Sequence, residues 1–242
     1  MAESYTGFAS LYDKLIKEDI DYKKAASFIN SEITKKIDNI VLDLACGTGS
    51  LTSELASFGY DMIGIDISVD MLDIAKTKNP DTLFLCQDMR EFELYGTVDC
   101  ICSMTDSLNY ITDKEDLEKV FSLAKNYLNP ECPFIFDLNS YYKLHDILGN
   151  NTFTYDEDDI FYVWENSFDE DENICDFYLS FFEKEENGLY RRFDEEHSER
   201  AYKREEIETL LYKTGFKSVF CYSDYDKSPV NELSERLVFV AR

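Results

Sequence analysis

Asp43, Gly47 and Gly49 stand in the run Ile40-Val41-Leu42-Asp43-Leu44-Ala45-Cys46-Gly47-Thr48-Gly49, and Asp66 closes a second apolar run, Met62-Ile63-Gly64-Ile65-Asp66. In the first run an apolar strand ends in an acid, a turn of small residues follows, and Ser50, Leu51, Leu55 and Ala56 open a helical pattern. A glycine turn between strand and helix lets the backbone approach a nucleotide-like ligand closely. The acid at the end of the second strand falls at the distance expected for a ribose contact. Together these residues imply a bound adenosine cofactor.

The turn itself selects among such cofactors. A dinucleotide turn has the form G-x-G-x-x-G/A, and counted from Gly47 and Gly49 its third position is Thr52, which weakens close helix–strand packing of that kind. Asp43 lies four residues before Gly47, where a pyrophosphate would meet a carboxylate. S-adenosylmethionine carries no phosphate, and its ammonium group suits a carboxylate. The pattern D-x-A-x-G-x-G resembles motif I of the class I S-adenosylmethionine-dependent methyltransferases, with Ala45 in place of the usual first glycine.

The resemblance extends over most of the chain, toward the small-molecule branch related to glycine and amino-sugar N-methyltransferases. It implies that Asp43, Ala45, Cys46, Gly47 and Gly49 form the cofactor turn and that Asp66 bonds both ribose hydroxyls, with Ile67 and Met71 beside it. Gln87-Asp88-Met89 resembles the acid-plus-apolar pair that holds adenine: Asp88 accepts from the exocyclic amine and Met89 packs softly on the ring. The segment Ser103 to Tyr110 falls where this family faces the transferable methyl. Ser103 is expected on the cofactor side, while Asp106 and Asn109 are placed to orient an amine or accept its proton; a helix cap is the structural alternative for that pair. Tyr5 to Asp13 resembles a lid, from which Tyr12 bonds the cofactor carboxylate or lines the acceptor pocket, unless it is a core tyrosine.

These residues need a scaffold. Tyr22, Ala26, Ile29, Ile33 and Ile37 recur at helical spacing, so about 19–37 reads as an amphipathic helix. After the glycine turn come helix 50–58, strand 61–66, helix 69–78, strand 82–87, strand 98–103, helix 114–128 and strand 133–138, punctuated by Pro80, Gly96 and Pro130. Alternation of this kind predicts a parallel sheet covered on both faces. From 153 to 202 the pattern changes to strands: 160–168, 174–182 and 189–201, joined by acidic turns. Along the second of these, Cys175, Phe177, Leu179 and Phe181 share one face and Tyr178 the other. A helix over 203–214, ended by Gly215, and two strands, 216–223 and 235–241, complete the chain. The expected architecture is an α/β, Rossmann-like, mostly parallel seven-stranded methyltransferase sheet with helices on both faces, plus an antiparallel β insertion. Residues 1–139 and 203–242 form the cofactor-binding core, and 140–202 lie over the acceptor site.

Composition bounds the partners. The chain of 242 residues has 24 basic and 50 acidic side chains, a formal charge of −26. Such a surface repels nucleic acid and anionic lipid, and no basic patch larger than Arg191-Arg192 offsets it. Seven cysteines without a C-x-x-C pair read as reduced thiols of a cytoplasmic protein, and with two histidines in the chain a metal site is not expected. No signal segment or membrane-length apolar run is present in the sequence.

The expected reaction is methyl transfer from S-adenosylmethionine to a small-molecule nitrogen or oxygen nucleophile, an in-line displacement in which the protein aligns and excludes water. A nitrogen needs only to be neutral when it attacks; an oxygen needs a base. His197 reads as a surface histidine among Glu195, Glu196 and Glu199, with contact to substrate as the alternative, and His145 reads as surface. The alternative function is a non-catalytic cofactor-binding or partner-binding module on the same fold. An NAD-dependent oxidoreductase is disfavoured by Thr52 and by the lack of a hydride-relay constellation.

Overall fold

A computed structural model describes residues 20–34, 39–157 and 159–242. Tyr12 and the rest of the lid-like run lie outside the described residues. The first described helix, α1 (Tyr22–Glu32), starts where the Asp21 side chain accepts from Lys24 N at 2.9 Å. It stops at Ile33, whose backbone is extended, and so is shorter than the spacing predicts. Then follow β1 (Ile40–Leu44), α2 (Ser50–Ala56), β2 (Asp61–Asp66), α3 (Val69–Lys78), β3 (Leu83–Cys86), β4 (Cys100–Ser103), a 3-10 turn (Ser107–Tyr110), α4 (Lys114–Tyr127) and β5 (Phe134–Asn139). After a π-helical turn (Lys143–Leu148) come four long strands: β6 (Thr152–Glu157), β7 (Ile160–Asp169), β8 (Ile174–Lys184) and β9 (Tyr190–Arg200). Helix α5 (Arg204–Lys213), β10 (Val219–Tyr222) and β11 (Arg236–Ala241) close the chain.

The main sheet has the order β10-β11-β5-β4-β1-β2-β3. Strands β1 to β5 pair in parallel, and β11 is antiparallel to both β5 and β10. Strands β4 and β5 are buried throughout, as expected of central strands with both faces covered. Alternation divides the strands between two cores. Leu42 and Leu44 pack with Ile101, Phe134, Phe136 and Phe239 beneath α4 and α5. Val41 packs with Cys100, Cys102, Ile135 and Val238 beneath α1 and α2. Asp43 shares the face of Val41 and is thereby carried beneath α2.

The strand-rich region forms a separate antiparallel sheet, β6-β7-β8-β9. The β6 strand precedes the three that the pattern marks; its run Thr152-Phe153-Thr154-Tyr155 alternates weakly and ends in acids, so pairing with β7 rather than periodicity defines it. Cys175, Phe177, Leu179 and Phe181 do share one face, and Tyr178 is exposed on the other. Near the π-helical turn, Phe168, Cys175 and Phe177 pack on Leu144 and Leu148 and so fasten this sheet to the end of β5.

Candidate active site

The strand order reverses between β1 and β4, and open α/β sheets bind ligands outside the C-terminal ends of the strands at that switch. The loops after β1, β2, β3 and β4 all line one cavity of about 350 Å³ there.

The β1 turn is built for close approach. Gly47 has φ +51, and a Cβ placed on it would meet nothing within 4 Å, so its bare face opens into the cavity. Gly49 has the opposite surroundings: φ is +72, and a Cβ would lie 2.9 Å from both Ala75 Cβ and Asn79 Nδ2 of the α3 segment. Gly47 therefore leaves open space on the cavity, while Gly49, which does not line the cavity, admits a neighbouring helix. Ala45 is also left-handed, at φ +63, a strained conformation for a residue with a Cβ. The alanine is sterically small but not conformationally neutral here.

Two carboxylates flank this turn. Asp66 Oδ2 accepts from Gly47 N at 2.8 Å and Oδ1 from Ser68 N at 2.9 Å. Each oxygen keeps a lone pair for a ligand hydroxyl. Burial raises the Asp66 pKa and these backbone bonds oppose the rise. Asp43 is almost wholly buried and accepts from Thr52 Oγ1 at 2.5 Å. Thr52 thus serves as the partner of Asp43, a role invisible when it is read only as a failed third glycine. Burial pushes the Asp43 carboxyl up to about 7, so a neighbouring cation is needed to hold it ionised. Cys46 lines the cavity, but burial raises its thiol far above its ordinary range and keeps it inert.

Ile67, Met71, Gln87 and Met89 also line the cavity. Asp88 lines it as well, but Arg90 clasps its carboxylate: Nε lies 2.9 and 3.0 Å from the two oxygens, and a second guanidinium nitrogen bonds Oδ2. That clasp holds the Asp88 pKa low. An adenine amine there must share an oxygen with Arg90.

The loop after β4 is where expectation and structure differ most. Thr105 and Asp106 both have positive φ, at 59° and 54°. Strain of this kind concentrates at functional sites. The loop is pinned by Asp106 N donating to Asp137 Oδ1 at 2.6 Å. Asp106 lines the cavity and does not cap the following turn; its carboxylate lies 3.3 Å from Arg236 Nη1, which also pairs with the buried Asp137 at 3.0 Å. Asn109 is a correction. It is fully buried, is absent from the cavity wall, and spends its amide on Asn139 O at 3.2 Å, Arg200 O at 2.9 Å and Asn139 N at 3.0 Å. It ties the 3-10 turn to β5 and β9. Ser103 is also fully buried beneath the cavity rather than lining it.

The inner face of the four-stranded sheet forms the other wall, with Tyr162, Trp164, Phe177, Leu179 and Phe181 facing Tyr110. His197 belongs to this wall, edge-on to Tyr110 at 5.9 Å, and burial lowers its pKa to about 4, so it is neutral at pH 7. It is not a surface histidine. Glu199 also lines the cavity: it is buried, accepts from Asn139 Nδ2 at 2.9 Å, and has its carboxyl pushed up to about 8 by burial and by Asp106. Alternation along β9 places Phe193, Glu195, His197 and Glu199 on one face, but only packing shows which face is inward. His145 lies outside the cavity wall, stacked on Tyr141 and bonded to Glu170 at 3.0 Å. No group of three or more His, Cys, Asp or Glu side chains among the described residues can hold a metal ion. No helix among them is long and apolar enough to cross a membrane.

The fold and this crevice define the class I methyltransferase architecture. The family model described as "Methyltransferase domain" matches residues 41–131. The chain is 36% identical over 243 residues to "Putative methyltransferase YqeM" of Bacillus subtilis (strain 168), covering 98% of this chain and 96% of that one. A solved S-adenosylmethionine-dependent methyltransferase from Clostridium acetobutylicum superposes with a TM-score of 0.90 at 40% identity, covering 98% of each chain. A dTDP-3-amino-3,6-dideoxy-alpha-D-glucopyranose N,N-dimethyltransferase from Streptomyces fradiae is 30% identical over 131 residues, about half of each chain. This chain belongs to the S-adenosylmethionine-dependent methyltransferases. The donor set fits that cofactor: an open Gly47, a carboxylate aimed by two backbone N–H groups, and a second, buried carboxylate that a cation would ionise.

Proposed function

We propose that this chain methylates the nitrogen of a small molecule held beneath the four-stranded sheet, with 1–139 and 203–242 as cofactor core and 140–202 as cover. The observation that carries this reading is continuity: the glycine turn and the aromatic wall line the same cavity. Asp43 receives the cofactor's ammonium, Asp66 its ribose hydroxyls, and Met71, Asp88 and Met89 its adenine. When bound, S-adenosylmethionine supplies an electrophilic methyl on a sulfonium. The protein's part is to orient the acceptor nitrogen, take its proton and exclude water, for which the aromatic wall is suited. Asp106 stays in this reading as a group facing the acceptor; Asn109 acts only by holding the turn. None of the seven cysteines forms a disulfide, which fits a reducing cytoplasmic compartment. The charge of −26 favours a small-molecule acceptor over nucleic acid.

Isothermal titration tests the cofactor half: S-adenosylhomocysteine binds in the micromolar range, about −8 kcal/mol, and NAD does not. Methyl-labelled S-adenosylmethionine supplied with a cell extract tests the acceptor half. Label is expected in the small-molecule fraction; label appearing in RNA or protein instead overturns it.

A further inference from the structure

The wall beneath the four-stranded sheet narrows the acceptor's chemistry. Resting on the reading that the acceptor lies there, we propose that it is an amine on an apolar, ring-bearing body without phosphate, and that Glu199 receives the amine and accepts its proton.

Charge argues first. Among the described residues, the acids Asp43, Asp66 and Asp88 line the cofactor half of the cavity with Arg90, and Asp106 and Glu199 line the acceptor half with Lys143 and Arg236. Each cation already has a partner. Arg90 is held by Asp88 and by Asp116 at 3.4 Å, Arg236 lies between Asp106 and Asp137, and Lys143 donates to Asn139 Oδ1 at 2.9 Å. A diphosphate would have to break one of these pairs or face the acids. The cavity therefore departs from what a nucleotide-sugar acceptor needs.

The wall argues for what does fit. Tyr110, Tyr162, Trp164, Phe177 and Phe181 present five rings, which favour an apolar body and tolerate a cation over their faces. Trp164 Nε1 is buried with no hydrogen-bond partner among the described residues, so it is available to an acceptor atom on the body without requiring one. Glu199 is the polar end of this wall. Asn139 Nδ2 engages Oε2, and Oε1 has no hydrogen bond among the described residues. The charged and titratable groups around it are Asp106 from the β4 loop, Lys143 from the π-helical turn, Arg236 from β11, Cys175 directly opposite on β8, and His197 on its own strand. Burial and Asp106 raise its carboxyl to about 8, within reach of an amine's proton; the hydrogen bond from Asn139, then Lys143 and Arg236, keep the rise from going further.

The proton count follows. An amine that arrives as ammonium displaces the resting proton of Glu199 to solvent and pairs with the carboxylate. Its own proton then passes to Glu199. The freed lone pair forms the N–C bond while the C–S bond breaks, with the C–S electron pair left on sulfur.

The test loads the protein with S-adenosylhomocysteine and titrates 2-phenylethylamine at pH 7 in buffers of different ionisation enthalpy. With the carboxyl at about 8, binding should release about 0.9 proton per amine. 2-Phenylethanol should bind at least tenfold more weakly, and a dTDP-amino sugar should not bind. Glu199→Gln preserves the contact with Asn139; it should abolish proton release and weaken the amine at least tenfold, with unchanged S-adenosylhomocysteine affinity. Trp164→Phe leaves Glu199 in place and should keep the proton release. Equal binding of the amine to wild type and Glu199→Gln, failure of the loaded protein to bind the amine, or binding of the dTDP-amino sugar overturns the proposal. Failure to bind S-adenosylhomocysteine at all is a different result, and refutes the cofactor reading beneath it.

Discussion

Cofactor affinity should depend on pH through Asp43. Its carboxyl lies at about 7 in the ligand-free protein because burial outweighs the hydrogen bond from Thr52. The cofactor's ammonium needs the ionised form. For a group of pKa 7 in the free protein and well below 5 in the complex, linkage makes binding about tenfold weaker at pH 6 than at pH 8. At pH 5 it is about ninetyfold weaker, roughly 1.4 and 2.7 kcal/mol respectively. The ligand-free fold has its own dependence. Because the folded pKa lies above the unfolded one, Asp43 favours the native state most at low pH. That contribution is lost as pH rises from about 4 to about 7. Isothermal titration of S-adenosylhomocysteine from pH 5 to pH 8 reads the effect directly. Asp43→Asn keeps an acceptor for Thr52 and should flatten the profile. At pH 8 it should bind more weakly by about 1.5–3 kcal/mol, the loss of one charge-assisted bond. An affinity constant from pH 5 to 8 in the wild type, or an Asn variant with the same slope, refutes the assignment of Asp43 to the ammonium.

Other substitutions separate binding from folding. Asp66→Ala removes the carboxylate that Gly47 N and Ser68 N orient, and should weaken S-adenosylhomocysteine by 100-fold or more while circular dichroism is unchanged; Asp66→Asn should be milder. Gly49→Ala puts a Cβ 2.9 Å from Ala75 Cβ at φ +72, and should cost about 2–5 kcal/mol of unfolding free energy in urea titration, the sum of left-handed strain and overpacking. Asn109→Ala leaves Asn139 N, Asn139 O and Arg200 O without their side-chain partner; it should lower stability by about 2–4 kcal/mol and leave S-adenosylhomocysteine affinity unchanged at temperatures where it is folded. Altered affinity without loss of stability would return Asn109 to the binding site.

The alternation of strand and helix, the glycine turn between Asp43 and Gly49, the acid at Asp66 and the one-sided face of Cys175, Phe177, Leu179 and Phe181 are legible in residue order alone. These are local patterns with fixed periods, and a turn that needs φ above zero shows itself in residue type. Tertiary structure decided the rest, because a period assigns a residue to a face without saying what the face meets. His197 and Glu199 lie in a run of charged residues that reads as solvated, yet β9 turns them inward to the cavity. Thr52 meets Asp43 across nine residues, Asn109 meets Arg200 across 91, and Arg236 reaches Asp106 across 130. The first and third are set by packing around the seven-stranded sheet, and the second by the docking of the four-stranded sheet at the end of β5. The same packing fixes which carboxylates are dry enough to hold a proton near neutral pH.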